Sequence, residues 1–355
     1  MKADASLRIQ EWVAETARLC LPLFAGLLVC LGITPSLNAQ DFTDSAIPNV
    51  LSHAQMPGSE WSFTKEVNEV NVLFVATRHG KFIRDLSQND VVVLDDKKPP
   101  AAILGFRTEQ ELPLRVGLLI DTSESVNWRF RFEQKGASAF LHQAVRRDPD
   151  QAFVLGFSDK PLLAQDFSND PELLSRGVQR LSIRGATALY DAVVAACHKL
   201  VVHPEQDMVA RVLVVLSDGQ SNSGRASLEE AIDIAEQAQV VIYTINTNYQ
   251  PVGDDYDPHD LEGSNNLRRL ADQTGGLMLI PTSPKQVGQA FATIAHELRS
   301  RYAIAYRPAD FKADGGYREI MIRARWRGKK LKVRARKGYY ARLRNIESLV
   351  PERTN

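Results

Sequence analysis

The sequence contains few cysteines and no excess of charge of either sign. Its 355 residues include three cysteines, and 43 lysines and arginines balance 43 aspartates and glutamates. Cys20 and Cys30 lie in an apolar N-terminal segment, so the rest of the chain has Cys197 alone and cannot form an internal disulfide framework. With a formal net charge of zero, no overall field indicates a nucleic acid or membrane partner.

Long apolar runs and metal-binding histidine patterns are also lacking. After residue 33, no stretch of about 18 apolar residues occurs, so no further segment has the length and character of a membrane span. The seven histidines show neither a paired spacing nor cysteine partners, which leaves no hypothesis of a zinc site. Cys197 falls within the apolar run ALYDAVVAACHKL, and we interpret it as a core residue rather than a nucleophile.

The N-terminal segment has the features of an export signal. Three basic residues precede the apolar run LCLPLFAGLLVCLGI at positions 19–33, and Ala39 supplies a small residue before Gln40. We predict a secretory signal peptide, and therefore an exported protein in the periplasm, on the cell surface or outside the cell. An uncleaved N-terminal anchor is the alternative.

The hydrophobic pattern divides the rest of the chain into three parts. Short strand-like runs alternate with turns up to about residue 111, strands and helices then alternate up to about residue 300, and the last part returns to strands. The predicted boundaries are a signal peptide at 1–39, a linker at 40–60, an N-terminal β-module at 61–111, an α/β domain at 112–300, a C-terminal β-hairpin segment at 301–344 and a tail at 345–355.

The central part predicts a doubly wound, mostly parallel, Rossmann-like sheet. Its strand-like runs are LRVGLLID, AFVLGFS, PLLAQDF, ARVLVVLS, VVIYTIN and LMLI, and its helix-like segments lie near 129–146, 172–181, 188–200, 228–238, 264–274 and 285–299. Continuous Val, Leu and Ile runs between amphipathic segments are typical of a parallel sheet with helices on both faces. Ligands of such sheets bind at the carboxyl ends of the strands.

The C-terminal segment REIMIRARWRGKKLKVRARKGYY predicts an amphipathic hairpin. Apolar residues occupy alternate positions from Ile320 to Trp326 and again from Leu331 to Ala335, and arginines and lysines occupy most positions between them. A hairpin alone is marginally stable, so we expect it to pack on the N-terminal β-module. Its basic face is a candidate for peripheral association with the cell envelope, and a solvated face is the alternative.

Three separated polar motifs fall at the same predicted edge of the central sheet. They are Asp121-Thr-Ser123-Glu-Ser125, Gly185-Ala-Thr187 and Ser217-Asp218-Gly219. These motifs offer carboxylate and hydroxyl oxygens but no nitrogen or sulfur, the ligand set that suits a hard cation such as Mg²⁺ or Mn²⁺. We therefore predict a divalent-metal site formed by Asp121, Ser123, Ser125, Thr187 and Asp218.

The polar motifs and a separate acidic loop each allow a second interpretation. Each motif by itself is also typical of a helix N-cap, with Thr187 capping the helix near 188–200 and Ser223 or Ser227 starting the next one. The acidic loop that contains Asp254, Asp255, Asp257 and Asp260 is either a second cation site or a solvated loop.

The three-part pattern closely resembles the metal-ion-dependent adhesion site (MIDAS) of the von Willebrand factor type A domain. That site combines an Asp-x-Ser-x-Ser loop, a distant Thr and a distant Asp-Gly. With its β-module and the terminal segment YAIAYRP…DGGYREI…VRARKGYY, the chain is more narrowly similar to the von Willebrand factor A-related family described from Acidobacteria.

The resemblance implies roles for the predicted ligands. Ser123, Ser125 and Thr187 would bind the metal directly, Asp121 and Asp218 would act mostly through bound water, and one coordination position would stay open for an acidic side chain of a partner protein. Asp191 resembles the residue that supports the Thr loop. The chain departs from the family at Glu124, where Gly is common, and at Val126, where Met is common. A carboxylate at position 124 could interfere with the binding of a partner's acidic side chain at the open coordination position.

Two classes of function follow. The first is an exported, non-catalytic module for metal-dependent adhesion or protein–protein interaction, with an unidentified protein partner. The alternative is a metal-dependent phosphohydrolase of the haloacid dehalogenase type, which also places an Asp at the end of its first strand. Such an enzyme needs a second Asp two positions later for acid–base chemistry, and Ser123 occupies that position.

Overall fold

The computed structural model describes residues 69–108, 112–203, 205, 208–248 and 258–341. The predicted signal peptide, linker and C-terminal tail lie outside these residues, and so do Asp254, Asp255 and Asp257 of the acidic loop. All described residues belong to one compact unit that spans 63–355. Within the described ranges, no helix has both the length and the apolar character needed to span a membrane.

The chain alternates strands and helices only in its central part. The first strands are β1 (Val70–Arg78), β2 (Lys81–Phe82), β3 (Val91–Asp95) and β4 (Ala102–Thr108). The central elements are β5 (Leu114–Asp121), α1 (Phe130–Ala144), β6 (Gln151–Phe157), β7 (Pro161–Ser168), α2 (Pro171–Arg180), α3 (Leu189–Val202), β8 (Ala210–Ser217), α4 (Leu228–Gln237), β9 (Val240–Asn246), α5 (Pro258–Thr274), β10 (Met278–Leu279) and α6 (Val287–Leu298). The last strands are β11 (Arg301–Arg307), β12 (Tyr317–Trp326), β13 (Lys329–Lys330), β14 (Lys332–Ala335) and β15 (Gly338–Tyr340).

The central elements form a six-stranded sheet between two helical layers. Its strand order is β10-β9-β8-β5-β6-β7, and only β7 runs antiparallel to its neighbour. Helices α1, α2 and α6 cover one face, and α3, α4 and α5 cover the other. All eight residues of β5 are buried, as a central strand with helices on both faces requires. The doubly wound, mostly parallel fold predicted from the sequence is therefore confirmed.

The remaining strands form a β-module from both ends of the described chain. One antiparallel sheet has the order β14-β1-β11-β4, with β2 beside β1, and in a second sheet β12 pairs with β3, β13 and β15. Apolar side chains from both sheets share one core, in which the rings of Phe74 and Tyr302 stack with their centroids 5.2 Å apart. Ile304 and Ile320 join this core from the C-terminal segment.

The predicted C-terminal hairpin is wrong beyond Leu331. Arg325 pairs with Lys330 and Trp326 with Lys329 across the turn, and the amide of Leu331 donates to the carbonyl of Ala324 over 3.0 Å. After Leu331 the chain crosses to the other sheet, where β14 pairs with β1. This crossing places Leu331 and the apolar residues of β14 against the shared core, where removal of their apolar surface from water stabilises the fold.

Ion pairs and hydrogen bonds join the β-module to the central elements. Arg334 of β14 pairs with Glu297 of α6, and Arg301 donates from Nε to the hydroxyl of Tyr243 in β9 over 2.9 Å. Arg336 donates to the backbone carbonyls of Glu236 and Asn71 over 3.3 and 3.0 Å. Buried charges are tolerated only with such partners, so these contacts hold the β-module in one position against the helices.

We expect Ile304→Ala to lower the free energy of unfolding by about 2–4 kcal/mol, because it opens a cavity in the shared core. Ile304 is 1% exposed at the centre of the larger module sheet. The control is Leu104→Ala on the neighbouring strand, where the side chain is 43% exposed, and its expected loss is less than about 1 kcal/mol. Urea denaturation measures both, and equal losses in the two variants would contradict a shared core at this position.

Candidate metal centre

Asp121 lies at the carboxyl end of β5 and is fully buried. Its two carboxylate oxygens accept hydrogen bonds from the Ser123 amide over 2.9 Å and from the Ser217 hydroxyl over 2.8 Å. Burial, and secondarily the nearby charge of Asp218, raise the pKa of Asp121 to about 6. The fold therefore keeps two carboxylates close together in a place where their charges are poorly solvated.

Hydrogen-bond contacts link three of the predicted ligands in a row. The hydroxyl oxygens of Ser123 and Ser125 are 3.0 Å apart, and the Ser125 hydroxyl lies 3.1 Å from Oδ2 of Asp218. Neighbouring oxygens around an octahedral Mg²⁺ at about 2.1 Å are separated by about 3 Å. The observed oxygen spacing thus fits the coordination sphere of a small divalent cation.

Thr187 lies on a loop that connects the other two motifs. Its amide donates to the side chain of Asn222 over 2.8 Å, and its carbonyl accepts from the amides of Asn222 and Ser223 over 3.0 and 3.1 Å. In the same loop, the carbonyl of Gly185 accepts from the amide of Glu124 over 3.2 Å. Backbone hydrogen bonds therefore hold Thr187 between the serine loop and the loop that follows Asp218.

Asp191 joins α3 to the loop after Asp218. Its carboxylate accepts from the amide of Arg225 over 2.9 Å and from that of Ala226 over 2.7 Å. Both donors are backbone amides, so the carboxylate fixes the position of that loop. The resemblance implies that Asp191 supports the loop that carries Thr187. In the structure, Asp191 orders the loop that follows Asp218.

The interpretation of the motifs as helix caps is wrong for Thr187 and confirmed for Ser227. The N-cap residue of α3 is Ala188, one position after Thr187. Ser123 precedes a single 3₁₀ turn, Glu124–Val126, without a capping hydrogen bond from its side chain. Ser227, in contrast, accepts from the amide of Glu230 at the start of α4 over 3.1 Å. Capping therefore does not account for the hydroxyls of Ser123 and Thr187.

Arg129 and Glu133 belong to this cluster, although the sequence motifs do not include them. Nη2 of Arg129 lies 3.3 Å from Oδ2 of Asp218, and Nε lies 3.2 Å from the carboxylate of Glu133. Both side chains are buried. Their spacing of four residues on a helix was visible in the sequence as an ion-pair signal, but the contact with Asp218 spans 89 positions and gives no local pattern.

The charges of the cluster match a divalent cation. Asp121 and Asp218 contribute two carboxylates, and Arg129 lies 3.3 Å from Asp218 and also contacts Glu133. Like charges held close together where water is excluded are costly unless positive charge is added nearby. Across the described part of the chain, no group of three or more His, Cys, Asp or Glu side chains is arranged to hold a metal, so hydroxyls would have to complete any site here. The donor set of carboxylate and hydroxyl oxygens fits Mg²⁺ or Mn²⁺.

Two glycines bring α5 against the loop that carries Asp218. The sequence pattern predicts this helix from residue 264, but it begins at Pro258 and includes Gly263. A Cβ added at Gly263 would lie 2.5 Å from the carbonyl oxygen of Asp218, and one added at Gly219, where φ is +85°, would collide with the carbonyl of Gly263. Gly263 is therefore needed for close packing and does not end the helix.

Comparison with protein families agrees with this geometry. A family model described as the von Willebrand factor type A domain matches residues 116–293, the segment that contains the six-stranded sheet and all three motifs. The chain belongs to the von Willebrand factor type A domain family. The von Willebrand factor type A (VWA) domain thus accounts for about half of the sequence, and the β-module strands β1 to β4 and β11 to β15 lie outside the match.

Solved structures resemble the chain at low identity. A von Willebrand factor type A protein from Catenulispora acidiphila is 12% identical, with a TM-score of 0.45, and the match covers 75% of this chain and 77% of that one. The conserved hypothetical protein BatB from Bacteroides thetaiotaomicron is 18% identical, with a TM-score of 0.40 and coverage of 52% and 97%. Proximal thread matrix protein 1 from the mussel byssus, solved with a zinc-occupied MIDAS motif, is 19% identical, with a TM-score of 0.43 and coverage of 56% and 48%. No curated protein matches the chain.

We expect Gly263→Ala to weaken binding of Mn²⁺ at least several-fold, because the added methyl group displaces the backbone of Asp218 and so misplaces a predicted ligand. The matched control is Gly288→Ala in α6, where an added Cβ meets open space. That control should keep its Mn²⁺ affinity and gain up to about 1 kcal/mol of stability from helix propensity. Calorimetric titration with Mn²⁺ compares them, and unchanged affinity in Gly263→Ala would show that the close packing does not matter for the site.

Proposed function

We propose that this chain is an exported interaction protein whose VWA domain binds Mg²⁺ or Mn²⁺ and, through that metal, an acidic side chain of a partner protein. The proposed ligands are Asp121, Ser123, Ser125, Thr187 and Asp218. The observation that carries the proposal is a cluster at one edge of the sheet, in which the buried Asp121 lies near Asp218, the Ser123 and Ser125 hydroxyls are 3.0 Å apart, and the Ser125 hydroxyl lies 3.1 Å from the Asp218 carboxylate. Membership of the VWA family supports an interaction role, because these domains generally act as interaction modules.

The protein's own contribution to this function is to hold its oxygens in position. Asp121 is oriented by the Ser123 amide and the Ser217 hydroxyl, and Asp218 by Ser125, Arg129 and the amide of Gln220. A bound divalent cation would supply a Lewis acid with a position for an incoming carboxylate oxygen. Ser125 is the exposed member of the set, whereas Asp121, Ser123, Thr187 and Asp218 are buried, so a partner would approach from the Ser125 side.

Glu124 is placed to control that approach. It is exposed between Ser123 and Ser125, and its amide is fixed by the carbonyl of Gly185. Nearby, Arg129 contacts Glu133 and Asp218. A carboxylate at this position either reaches toward the bound metal or repels an incoming acidic side chain, and both effects weaken partner binding.

Two further parts of the proposal come from the sequence. The basic and apolar residues before Gln40 support export. A non-catalytic role is supported by Ser123 at the position where a phosphohydrolase of the haloacid dehalogenase type requires its second Asp. Phosphatase activity that is lost in Asp121→Asn would overturn this choice of class.

We expect Asp121→Asn to reduce the affinity for Mn²⁺ by about 100-fold or more, because it removes a ligand charge and a fixed acceptor. The matched control is Asp170→Asn at the N-cap of α2, where either residue accepts from the amide of Glu172 and Mn²⁺ affinity should not change. Calorimetric titration measures both variants. Equal Mn²⁺ affinity in Asp121→Asn and in the unmodified protein would refute the metal site.

The same variant tests the electrostatic cost of the site. Because burial raises the pKa of Asp121 from 3.8 to about 6, its contribution to stability is fully present below about pH 4 and is lost as the pH rises through 6. At pH 7.5 in a chelator, Asp121→Asn should therefore be more stable than the unmodified protein by up to about 3 kcal/mol, and this difference should shrink toward pH 4.5. Denaturation curves at both pH values measure it, and a variant that is less stable at pH 7.5 would contradict the argument.

We expect Glu124→Gly to tighten the binding of acetate, as a minimal acidic ligand, to the Mn²⁺-loaded protein by about fivefold or more, the equivalent of about 1 kcal/mol of removed repulsion. Glu124→Gln should act in the same direction without the added backbone freedom of glycine. Glu172→Gln, an exposed carboxylate on α2, is the control and should have no effect. Mn²⁺ relaxation titrations with acetate measure the affinities, and identical values for all four proteins would exclude a gating role for Glu124.

A further inference from the structure

The tip of the β12–β13 hairpin carries a surface that we call the basic face. It consists of five exposed cations: Arg323, Arg325, Arg327, Lys329 and Lys330. In the sequence, no Asp or Glu occurs from position 320 to position 346. Across the part of the chain that the structure describes, none of these five side chains forms an ion pair with a carboxylate. The basic face therefore presents its charge to the surroundings.

The geometry of the hairpin concentrates these charges. Arg325 lies directly opposite Lys330 in the antiparallel register, a like-charge pair that costs stability unless counter-charge comes from outside. Arg327 occupies the first position of the tight turn with φ at +49°, followed by Gly328 at +76°. Such backbone angles favour Asn or Gly, so an arginine here is unfavourable for the turn itself. Its guanidinium stacks on the ring of Trp326 with 4.4 Å between Cζ and the ring centroid.

Apolar side chains lie beside Arg323 and Arg325 on the same face of β3 and β12. Val92 of β3 is directly opposite Arg323 and is 55% exposed, and Leu94 is opposite Met321 one pair further along. Nε of Arg323 lies 3.2 Å from the sulfur of Met321. A sheet face that mixes exposed aliphatic groups with long, flexible cations is suited to an interface where charge and hydrocarbon meet.

Two acidic residues flank this face. Asp90 precedes Val91, the partner of Ala324, and its carboxylate accepts hydrogen bonds from the amide and the hydroxyl of Ser87 over 2.9 and 2.7 Å. Glu319 is six residues before Arg325 on the same side of β12, a distance of about 20 Å at the rise of a strand. At physiological ionic strength, the Debye length is about 8 Å. The charge of Glu319 is therefore screened from the hairpin tip, and the five cations outnumber the nearby carboxylate of Asp90, so the basic face stays positive in a chain of zero net charge.

We propose that the basic face docks the protein onto an anionic lipid surface, with its cations at the phosphate groups and Val92 and Met321 at the level of the upper hydrocarbon. Charge complementarity supports an anionic occupant, and the exposed aliphatic groups favour a bilayer over a soluble polyanion, which would contact the cations alone. This inference is independent of the metal site, since no residue of the basic face belongs to the metal cluster.

The test uses residues 63–355, the compact unit that contains all three cores, because the apolar segment at 19–33 would itself bind lipid. Co-sedimentation is measured with vesicles of phosphatidylcholine and phosphatidylglycerol at 7:3, with pure phosphatidylcholine vesicles and with dextran sulfate as a soluble polyanion. We expect binding to the anionic vesicles that weakens with added salt, and little binding to the neutral ones. No difference between the two vesicle types would overturn the proposal.

Variants of the basic face give the decisive comparison. Arg323→Gln with Arg325→Gln should weaken binding to the anionic vesicles by about 25-fold, since each cation near such a surface contributes about fivefold. Arg323→Lys with Arg325→Lys should keep most of the binding. Arg176→Gln with Arg268→Gln, which removes two exposed cations from α2 and α5, is the control for net charge and should bind as the unmodified protein does. Equal loss in both Gln pairs would overturn the assignment to this face.

The aliphatic part of the face separates a bilayer from a soluble polyanion. Val92→Ser should lower binding to the anionic vesicles two- to fivefold and leave binding to dextran sulfate unchanged. Thermal unfolding of each variant confirms that the fold is retained, and the exposure of these side chains favours that result. Dextran sulfate binding as tight as vesicle binding, with no effect of Val92→Ser on either, would show that the surface recognises a soluble polyanion and would overturn the lipid proposal.

Discussion

The pair of carboxylates at the carboxyl ends of β5 and β8 is the constraint on which the rest of the VWA domain depends. Strands β5 and β8 are parallel neighbours, so their carboxyl ends bring Asp121 and Asp218 to the same place. Burial, and secondarily the nearby charge of Asp218, disfavour the charged form of Asp121 and raise its pKa. A fold that keeps these groups ionised needs donors and positive charge around them, and much of the surrounding structure supplies one or the other.

Donors and positive charge come from elements that are distant in the sequence. The Ser123 amide and the Ser217 hydroxyl satisfy Asp121, and Arg129 approaches Asp218 from the start of α1. These groups compensate the carboxylates only in part, because Arg129 is shared with Glu133. Partial compensation is consistent with the proposed role, because a site whose negative charge was fully neutralised would attract a divalent cation only weakly.

The β-module shows a different kind of dependence, in which two ends of the chain complete one another. Strand β11 follows α6 after two residues and lies between β1 and β4, so the N-terminal strands cannot bury their apolar face without the C-terminal segment. Arg301, Arg334 and Arg336 then tie the module to β9, α6 and α4 through buried hydrogen bonds and ion pairs. The result places the metal cluster on the sheet edge and the basic face on a hairpin of the module, so that the two proposed surfaces share no residue.

Local sequence patterns determined the elements of this protein, and tertiary structure decided which of them meet. The apolar run that ends at Asp121, the hydroxyls that follow it and the cap at Ser227 were readable because each depends on neighbours within a few residues. Strand periodicity indicates which face of a strand is buried but not which strand lies beside it, so the pairing of β14 with β1 was not predictable. The sequence pattern predicted the start of α5 just after Gly263. The reason for a glycine inside this helix is its close contact with the carbonyl of Asp218, 45 positions away, which no local pattern shows. The contact of Arg129 with Asp218 likewise exists only after the sheet and α1 have packed, since no local pattern encodes an ion pair that forms across the fold.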